Sequence, residues 1–196
     1  FFGSTDLDAT VARIEQAAPD FIISSIAGDS NPAFYQALSM ADISAESMPV
    51  VSFSVSESEL QSMDPKFVTG HFVAWSYLQN LPSEINAQFI QRFKAKYGAD
   101  RVTSDVIATA YSSVMLWAQA VEEAESAEVD QVLTALRSQS LAAPEGIISI
   151  DSSTQHAWRS MTVGQINSRG AIDPVWQIDR PIRPVPFPGS RTQVAW

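Results

Sequence analysis

The sequence predicts an α/β fold in which a doubly wound parallel sheet carries helices on its faces. Short β-rich runs alternate with helical stripes as far as Trp75, and the connections between them are short. Residues 82–141 then change to long helical stripes, and strand-like runs return after Gly146. A hydrophobic content of 45% over 196 residues is enough for a substantial core.

The first elements follow from capping residues and apolar spacing. Residues 5–8 resemble a capping box, and the helical stripe that follows ends before Pro19. The β-rich run at residues 21–26 predicts a buried strand. After a polar loop, Asn31 is predicted to cap a helix that has Pro32 at its first position.

Two further strands and a capped helix complete this alternating part of the chain. Residues 49–53 predict a strand, and residues 56–59 form a second capping box before a short helix. Gly70 precedes another strand at residues 71–75. Strands that alternate with helices in this way are typical of a parallel sheet.

Three apolar stripes predict helices that pack through those stripes. The stripes are Ile85, Phe89, Phe93 and Tyr97; Val106, Ala110, Val114, Trp117 and Val121; and Val129, Val132, Leu133 and Leu136. Strand-like runs follow at residues 146–166 and 174–178. The proline-rich residues 181–196 are expected to lie extended on a surface, because proline lacks an N–H group.

Composition excludes several classes of function. A net charge of −10 argues against nucleic-acid binding and against docking on anionic membranes. The chain has no cysteine, and its two histidines, His71 and His156, are far apart, so neither a thiolate nucleophile nor a metal site is expected. GxSxG, GxGxxG and P-loop motifs are also missing, so no catalytic residue and no cofactor is predicted.

A ligand is expected at the edge of the sheet where the parallel strands end. Residues 27–31, residues 54–56 and the region after Trp75 belong to that edge. Two of these loops lead into helix N-termini, whose free N–H groups attract a carbonyl oxygen or an anion. The carboxylate of Asp29 adds an acceptor for an amide or amine, so the set suits a small, neutral, polar solute. The alternative is that Asp29 and Asn31 only form an Asx turn and a helix cap.

Four other residues lie at element ends where a structural role competes with a ligand contact. Asp105 and Tyr111 flank the start of the long helix, where they are either ligand contacts or a cap and a core aromatic. Trp75 is either a stacking surface or a core residue at a strand end. His71, at the start of a strand, is expected to be structural.

Short motifs follow one another along nearly the whole chain. They are GDSN (28–31), FY (34–35), PVVSFS (49–54), GHFVAW (70–75), FKAKYG (93–98), RVTSD (101–105), AY (110–111), LWAQAV (116–121), APEG (143–146), ID (150–151), QH (155–156) and IRP (182–184) with Pro186. Together they resemble the substrate-binding proteins of bacterial urea and short-chain amide ABC transporters, which are type I periplasmic binding proteins. The group is related to branched-chain amino acid receptors and to amide-sensing regulators of amidase operons.

The resemblance implies the C-terminal part of a two-lobed protein, with segments that cross to a first lobe missing from this sequence. The opening Phe1-Phe2 is accordingly expected to be the end of a buried strand. The implied parts are an α/β portion of the second lobe at 1–78, a helical segment that packs on the first lobe at 79–144, return strands of the second lobe at 145–180, and a proline-rich tail at 181–196.

The resemblance also implies a site and a function. The ligand contacts carried over are Asp29, Ser30, Asn31, Phe53, Ser54, Trp75, Asp105 and Tyr111. The implied activity is capture of urea or a short-chain amide between two lobes by hinge closure, without catalysis. The expected partner is a membrane permease, the expected location is periplasmic or extracytoplasmic, and a homo-oligomer is left open. The alternatives are a cytoplasmic amide-sensing regulator and a branched-chain amino acid binding protein.

Overall fold

A computed structural model describes residues 3–186 as seven helices and eight strands. The helices are α1 (Asp8–Ala17), α2 (Ser30–Met40), α3 (Glu57–Leu60), α4 (Pro65–Val68), α5 (Glu84–Tyr97), α6 (Asp105–Ala124) and α7 (Val129–Leu136). The strands are β1 (Ile22–Ser24), β2 (Val50–Ser52), β3 (Phe72–Trp75), β4 (Ser140–Ala143), β5 (Gly146–Ile150), β6 (Ala157–Trp158), β7 (Thr162–Ile166) and β8 (Ile172–Gln177). The expectations for Phe1-Phe2 and for the end of the tail concern residues outside this range.

The strands form a five-stranded sheet in the order β1-β2-β3-β7-β8 and a three-stranded sheet in the order β4-β5-β6. The α/β class is therefore confirmed, but only β1, β2 and β3 are parallel to one another. β7 is antiparallel to β3, with Thr162 opposite Trp75. The chain leaves the larger sheet at the C-terminal end of β3 and re-enters it at the same end of the strands, so β7 must run in the opposite direction. The sheet is mixed for this reason.

The predictions for the first elements need three corrections. No side chain caps α1, which has Leu7 at its N-cap position, so the capping box at residues 5–8 is wrong. The strand expected to be buried at residues 21–26 has only three residues, and Ile23 at its centre is largely exposed. α2 begins one residue before Asn31, so Asn31 and Pro32 lie inside its first turn and Asn31 does not cap it.

The second capping box is confirmed. The Ser56 hydroxyl accepts a hydrogen bond from the Ser58 N–H, and the Glu59 carboxylate accepts one from the Ser56 N–H at 2.9 Å. The short helix α4 was not predicted. Its signal is present in the sequence, since Asp64 caps it and Pro65 is its first residue.

The helical segment ends earlier than predicted. Its three helices are confirmed, but residues 140–143 form β4 and pair with β5 instead of extending the helical region. β5 and β6 belong to this second sheet, and the chain rejoins the larger sheet only at Thr162. Within residues 3–186, no helix is both long enough and apolar enough to cross a membrane.

The main core lies between the larger sheet and α2, where Phe34 and Leu38 pack with strand residues such as Val73. By contrast, three members of the predicted α6 stripe are more than half exposed; they are Val106, Val114 and Trp117. Packing of this stripe on a first lobe therefore stays a prediction, because such a lobe lies outside residues 3–186. No element of residues 3–186 covers that face of α6.

Candidate functional site

The loops that follow β1, β2 and β3 meet at one edge of the larger sheet, as predicted. The Ser54 hydroxyl donates a hydrogen bond to the carbonyl of Ile26, which links the first two loops. The Trp75 indole N–H donates to the carbonyl of Val55 at 2.7 Å, which links the last two. We call residues 25–29, 53–55 and 75–76 the strand-end edge.

Buried Ser52 organises the middle loop of this edge. Its hydroxyl oxygen accepts hydrogen bonds from the backbone N–H groups of Ser54, at 3.2 Å, and Val55, at 3.1 Å. Both the N–H and the hydroxyl of Ser54 are therefore engaged inside the protein. Ser54 shapes the loop, and neither of these two donors is free for a ligand in this conformation.

Asp29 is exposed at the end of the first loop. It occupies the N-cap position of α2, but its side chain makes no capping hydrogen bond. The alternative that its carboxylate serves as a helix cap is thus not what the structure contains. The residue also lines a groove of about 580 Å³ between α1 and α2, together with the acidic residues Asp8 and Glu15.

Ser30 and Asn31 lie in the first turn of α2 and are buried, Asn31 completely. Neither atom of the Asn31 amide group has a hydrogen-bond partner among the described residues. Both residues are therefore beneath the surface, next to the strand-end edge but not exposed on it.

Two aromatic residues complete the edge. The Phe53 side chain is 43% exposed, and its backbone N–H is held by the carbonyl of Ser24 at 3.0 Å. Trp75 is half-buried and oriented by its indole hydrogen bond. Together they offer apolar surface at the strand-end edge.

Asp105 and Tyr111, the last two predicted ligand contacts, instead contact other residues of the protein. Asp105 is buried, and its carboxylate accepts hydrogen bonds from the Tyr77 N–H at 2.9 Å and from Arg159 at 3.2 Å. The Tyr111 ring packs against Phe89, with 4.9 Å between ring centroids. Of the interpretations left open by the sequence, the core aromatic describes Tyr111 better than a ligand contact.

Sequence patterns did not reveal the buried carboxyl of Glu57. One of its oxygens accepts a hydrogen bond from the Gln79 N–H at 2.6 Å, and the other has no partner among the described residues. Burial raises the pKa of Glu57 to about 7, and the negative charge of Asp105 adds to this effect. The only sequence signal was its place in the first turn of a capped helix, which is usually an exposed position.

The structural role predicted for His71 is confirmed. Its Nδ1 atom accepts a hydrogen bond from the Val50 N–H at 3.0 Å, inside the core. Burial lowers the pKa of His71 to about 4, so the ring is neutral near pH 7. Across the described range, no group of three or more His, Cys, Asp or Glu side chains could hold a metal ion.

Comparisons with known proteins agree on the fold. A family model described as "Periplasmic binding protein domain" matches residues 1–193. The solute-binding protein of an ABC transporter from Rhodopseudomonas palustris BisB5, solved with 3,4-dihydroxybenzoic acid, superposes with a TM-score of 0.79 at 18% identity and covers 91% of this chain and 50% of its own. The leucine-, isoleucine-, valine-, threonine- and alanine-binding protein from Brucella ovis gives 0.80 at 18% identity and covers 93% and 49%.

A curated protein from Geobacillus stearothermophilus named limonene hydroxylase is 35% identical over 125 residues. The match covers 64% of this chain and only 23% of that protein, so its name carries no activity over to this chain. The chain likewise spans about half the length of the solved structures it matches. At under 25% identity, those structures show a shared fold and no shared ligand.

Proposed function

We propose, from the premise that this chain belongs to the periplasmic binding protein family, that it is part of the solute-binding component of an ABC transporter for urea or short-chain amides. The type I fold supports a binding unit that closes around its ligand. The strand-end edge supplies one side of the binding cleft, and the ligand is held without any covalent step.

The observation that carries the proposal is the charge of this edge. The strand-end edge and the residues next to it along the chain, 24–31, 52–57 and 75–79, contain no lysine, arginine or histidine, whereas Asp29 presents a carboxylate without a capping bond. The benzoate and amino-acid ligands named for the two solved neighbours carry a carboxylate, which favours positive charge or several N–H donors. An edge whose own residues include an exposed carboxylate and no basic side chain disfavours an anionic ligand and favours one that donates N–H groups, such as an amide.

In the proposed complex, Asp29 accepts the N–H groups of the amide while Phe53 and Trp75 cover its flat faces. Urea has about four non-hydrogen atoms, so a ceiling near 1.5 kcal/mol per atom allows roughly 6 kcal/mol of binding free energy. This corresponds to a Kd on the order of tens of µM. Closure of the cleft excludes water, which strengthens the hydrogen bonds to the carboxylate.

The exposed stripe on α6 supports the view that this chain is one part of a larger binding unit. Val114 and Trp117 form an apolar face without a partner in the described part of the chain, and the solved neighbours are about twice as long. We propose that a first lobe packs against this face and supplies the other side of the cleft. Delivery to a membrane permease, at a periplasmic or extracytoplasmic location, follows from the same proposal.

Isothermal titration calorimetry of the complete protein tests the ligand class. Urea, acetamide and formamide are titrated alongside benzoate and leucine. Asp29→Asn should weaken amide binding about tenfold or more, because a hydrogen bond to a charged acceptor is lost. Asp20→Asn is the matched control, since Asp20 is also exposed but precedes β1 at the opposite end of the strand.

Saturable heat with an amide that is lost only in Asp29→Asn would support both the ligand class and the site. Binding of benzoate or leucine alone would overturn the amide assignment while leaving a binding protein. An amide Kd that is unchanged in Asp29→Asn would remove Asp29 from the site. No heat with any of the five compounds, in a folded sample, would contradict the proposal as a whole.

A further inference from the structure

Within residues 3–186, three segments pass between the two sheets or lie across the passage between them. Residues 76–83 lead from β3 towards α5, residues 159–161 lead from β6 to β7, and residues 178–182 follow β8 and turn back towards the first two. A change in the angle between the sheets has to be absorbed in these connections and in the packing of α6, whose Ala108 lies in the core of the larger sheet and whose Leu116 packs with the smaller sheet. The residues that hold the connections together therefore contribute to how freely the sheets move.

Arg159 contacts all three connections, directly or through one carboxylate. It belongs to the second connection, and its backbone carbonyl accepts a hydrogen bond from the Ile182 N–H of the third at 2.8 Å. Its guanidinium donates to Asp105 at 3.2 Å, and the same Asp105 oxygen accepts the Tyr77 N–H of the first connection at 2.9 Å. The guanidinium also donates to Glu145, in the turn between β4 and β5, at 2.7 Å.

The buried carboxylates around Arg159 make the loss of its guanidinium strongly unfavourable. The side chain of Glu145 is 1% exposed and that of Asp105 is 10% exposed. Within residues 3–186, Arg159 is the one cation at salt-bridge distance from either carboxylate. Removing the guanidinium would leave two buried carboxylates without a counter-charge, which is far less favourable than losing a surface ion pair.

We propose that Arg159 is a hinge-positioning residue, which couples the three connections so that the two sheets keep a single relative orientation. The inference rests on the proposed function only in that closure of the binding unit would bend the chain at this point. The coupling itself requires no ligand, because every bond that carries it is present within the chain.

Two measurements on the ligand-free complete protein test the coupling in Arg159→Met. Amide hydrogen exchange at Tyr77 and Ile182 should accelerate about tenfold or more, while amides of β2 keep their rates. This chain has no cysteine, so once any cysteine elsewhere in the complete protein is replaced by serine, spin labels at Met40→Cys on α2 and Val129→Cys on α7 report the distance between the two parts of the molecule. The distribution of this distance should be broader in Arg159→Met than in the labelled protein that keeps Arg159.

Arg169→Met serves as the matched control, since Arg169 is exposed in the turn between β7 and β8 and makes no ion pair in the described structure. It should change neither measurement. If Arg159→Met does not fold, Arg159→Lys keeps the charge without the planar donor group and should still accelerate exchange at both amides.

Acceleration spread evenly over β2 and the connections would show a purely structural role and would overturn the inference. Unchanged exchange together with an unchanged distance distribution, in either folded variant, would also overturn it. Both results are independent of calorimetry with amides, so a failed hinge and a failed ligand assignment remain distinguishable.

Discussion

Replacing Glu57 by glutamine should change how the stability of the protein depends on pH. Burial raises the pKa of Glu57 from 4.5 to about 7 in the folded protein. Between these values the folded state retains a proton that the unfolded state has released, so this carboxyl makes stability fall as pH rises. Glutamine does not titrate, and its side-chain oxygen can still accept the hydrogen bond from the Gln79 N–H.

The size of the effect follows from the shift in pKa. A change in the pKa of Glu57 from 4.5 to about 7 lowers the free energy of unfolding by about 3 kcal/mol. The full loss is present above pH 7, and none of it is present below pH 4.5. His71 acts in the opposite sense: burial lowers its pKa from 6.5 to about 4, so its contribution is lost as pH falls through this range. In the wild-type protein, the opposite effects of Glu57 and His71 on the free energy of unfolding nearly cancel between pH 4.5 and 6.5. In Glu57→Gln only the effect of His71 remains, so stability should rise with pH over this range.

Thermal unfolding of both proteins by differential scanning calorimetry, at half-unit steps from pH 4 to 8, measures the difference in free energy; urea is avoided as a denaturant because it is a proposed ligand. As pH rises from 4.5 to 7.5, the free energy of unfolding of Glu57→Gln should increase by about 3 kcal/mol relative to that of wild type. The new buried amide group adds only a difference that does not depend on pH. Glu46→Gln, at an exposed position, should stay within about 0.5 kcal/mol throughout. A pH-independent difference for Glu57→Gln would refute the assignment of a raised pKa to a buried Glu57.

Three further substitutions test the packing that positions the site, each by the unfolding free energy in denaturant. Gly164→Ala should destabilise the protein by about 1–3 kcal/mol, because the added Cβ would overlap the side chain of Ile172 between β7 and β8; an unchanged midpoint would contradict this close approach. Ser56→Ala removes the capping hydroxyl of α3 and should cost about 1 kcal/mol, with Ser56→Thr as the control that retains it. His71→Leu leaves the Val50 N–H buried without its acceptor and should cost about 1–3 kcal/mol at pH 7; a neutral result would show that another group accepts this N–H.

Local sequence signals predicted the elements well where one residue type has one strong structural use. The box Ser56–Glu59 predicted the start of a helix because both of its hydrogen bonds lie within four residues. The similar prediction that Asn31 caps α2 was wrong. A polar residue followed by proline fits both a helix cap and the second position of a helix that starts earlier. The exposed face of α6 shows the same limit for apolar stripes, because a stripe predicts a contact without saying which part of the molecule supplies it.

For the candidate site, the sequence predicted which loops meet, but it did not indicate which of their polar groups are already hydrogen-bonded within the protein. Strand ends and loops follow from the order of elements, and this order brought Phe53 and Trp75 to one edge. Whether a polar group there is free depends on partners distant in sequence. The Asp105 carboxylate is engaged by Arg159, 54 residues later, and no local pattern indicates that bond.

The sequence by itself determined the α/β class, most of the order of helices and strands and the acidic balance of the chain, because these depend on residue types and on short-range periodicity. Only the tertiary structure decided that β7 returns antiparallel to β3, that Glu57 is buried, and that Arg159 holds three connections together. The physical reason is that burial and electrostatic pairing depend on distances between residues brought together by folding. Those distances are set by how the whole chain packs, and sequence separation does not encode them.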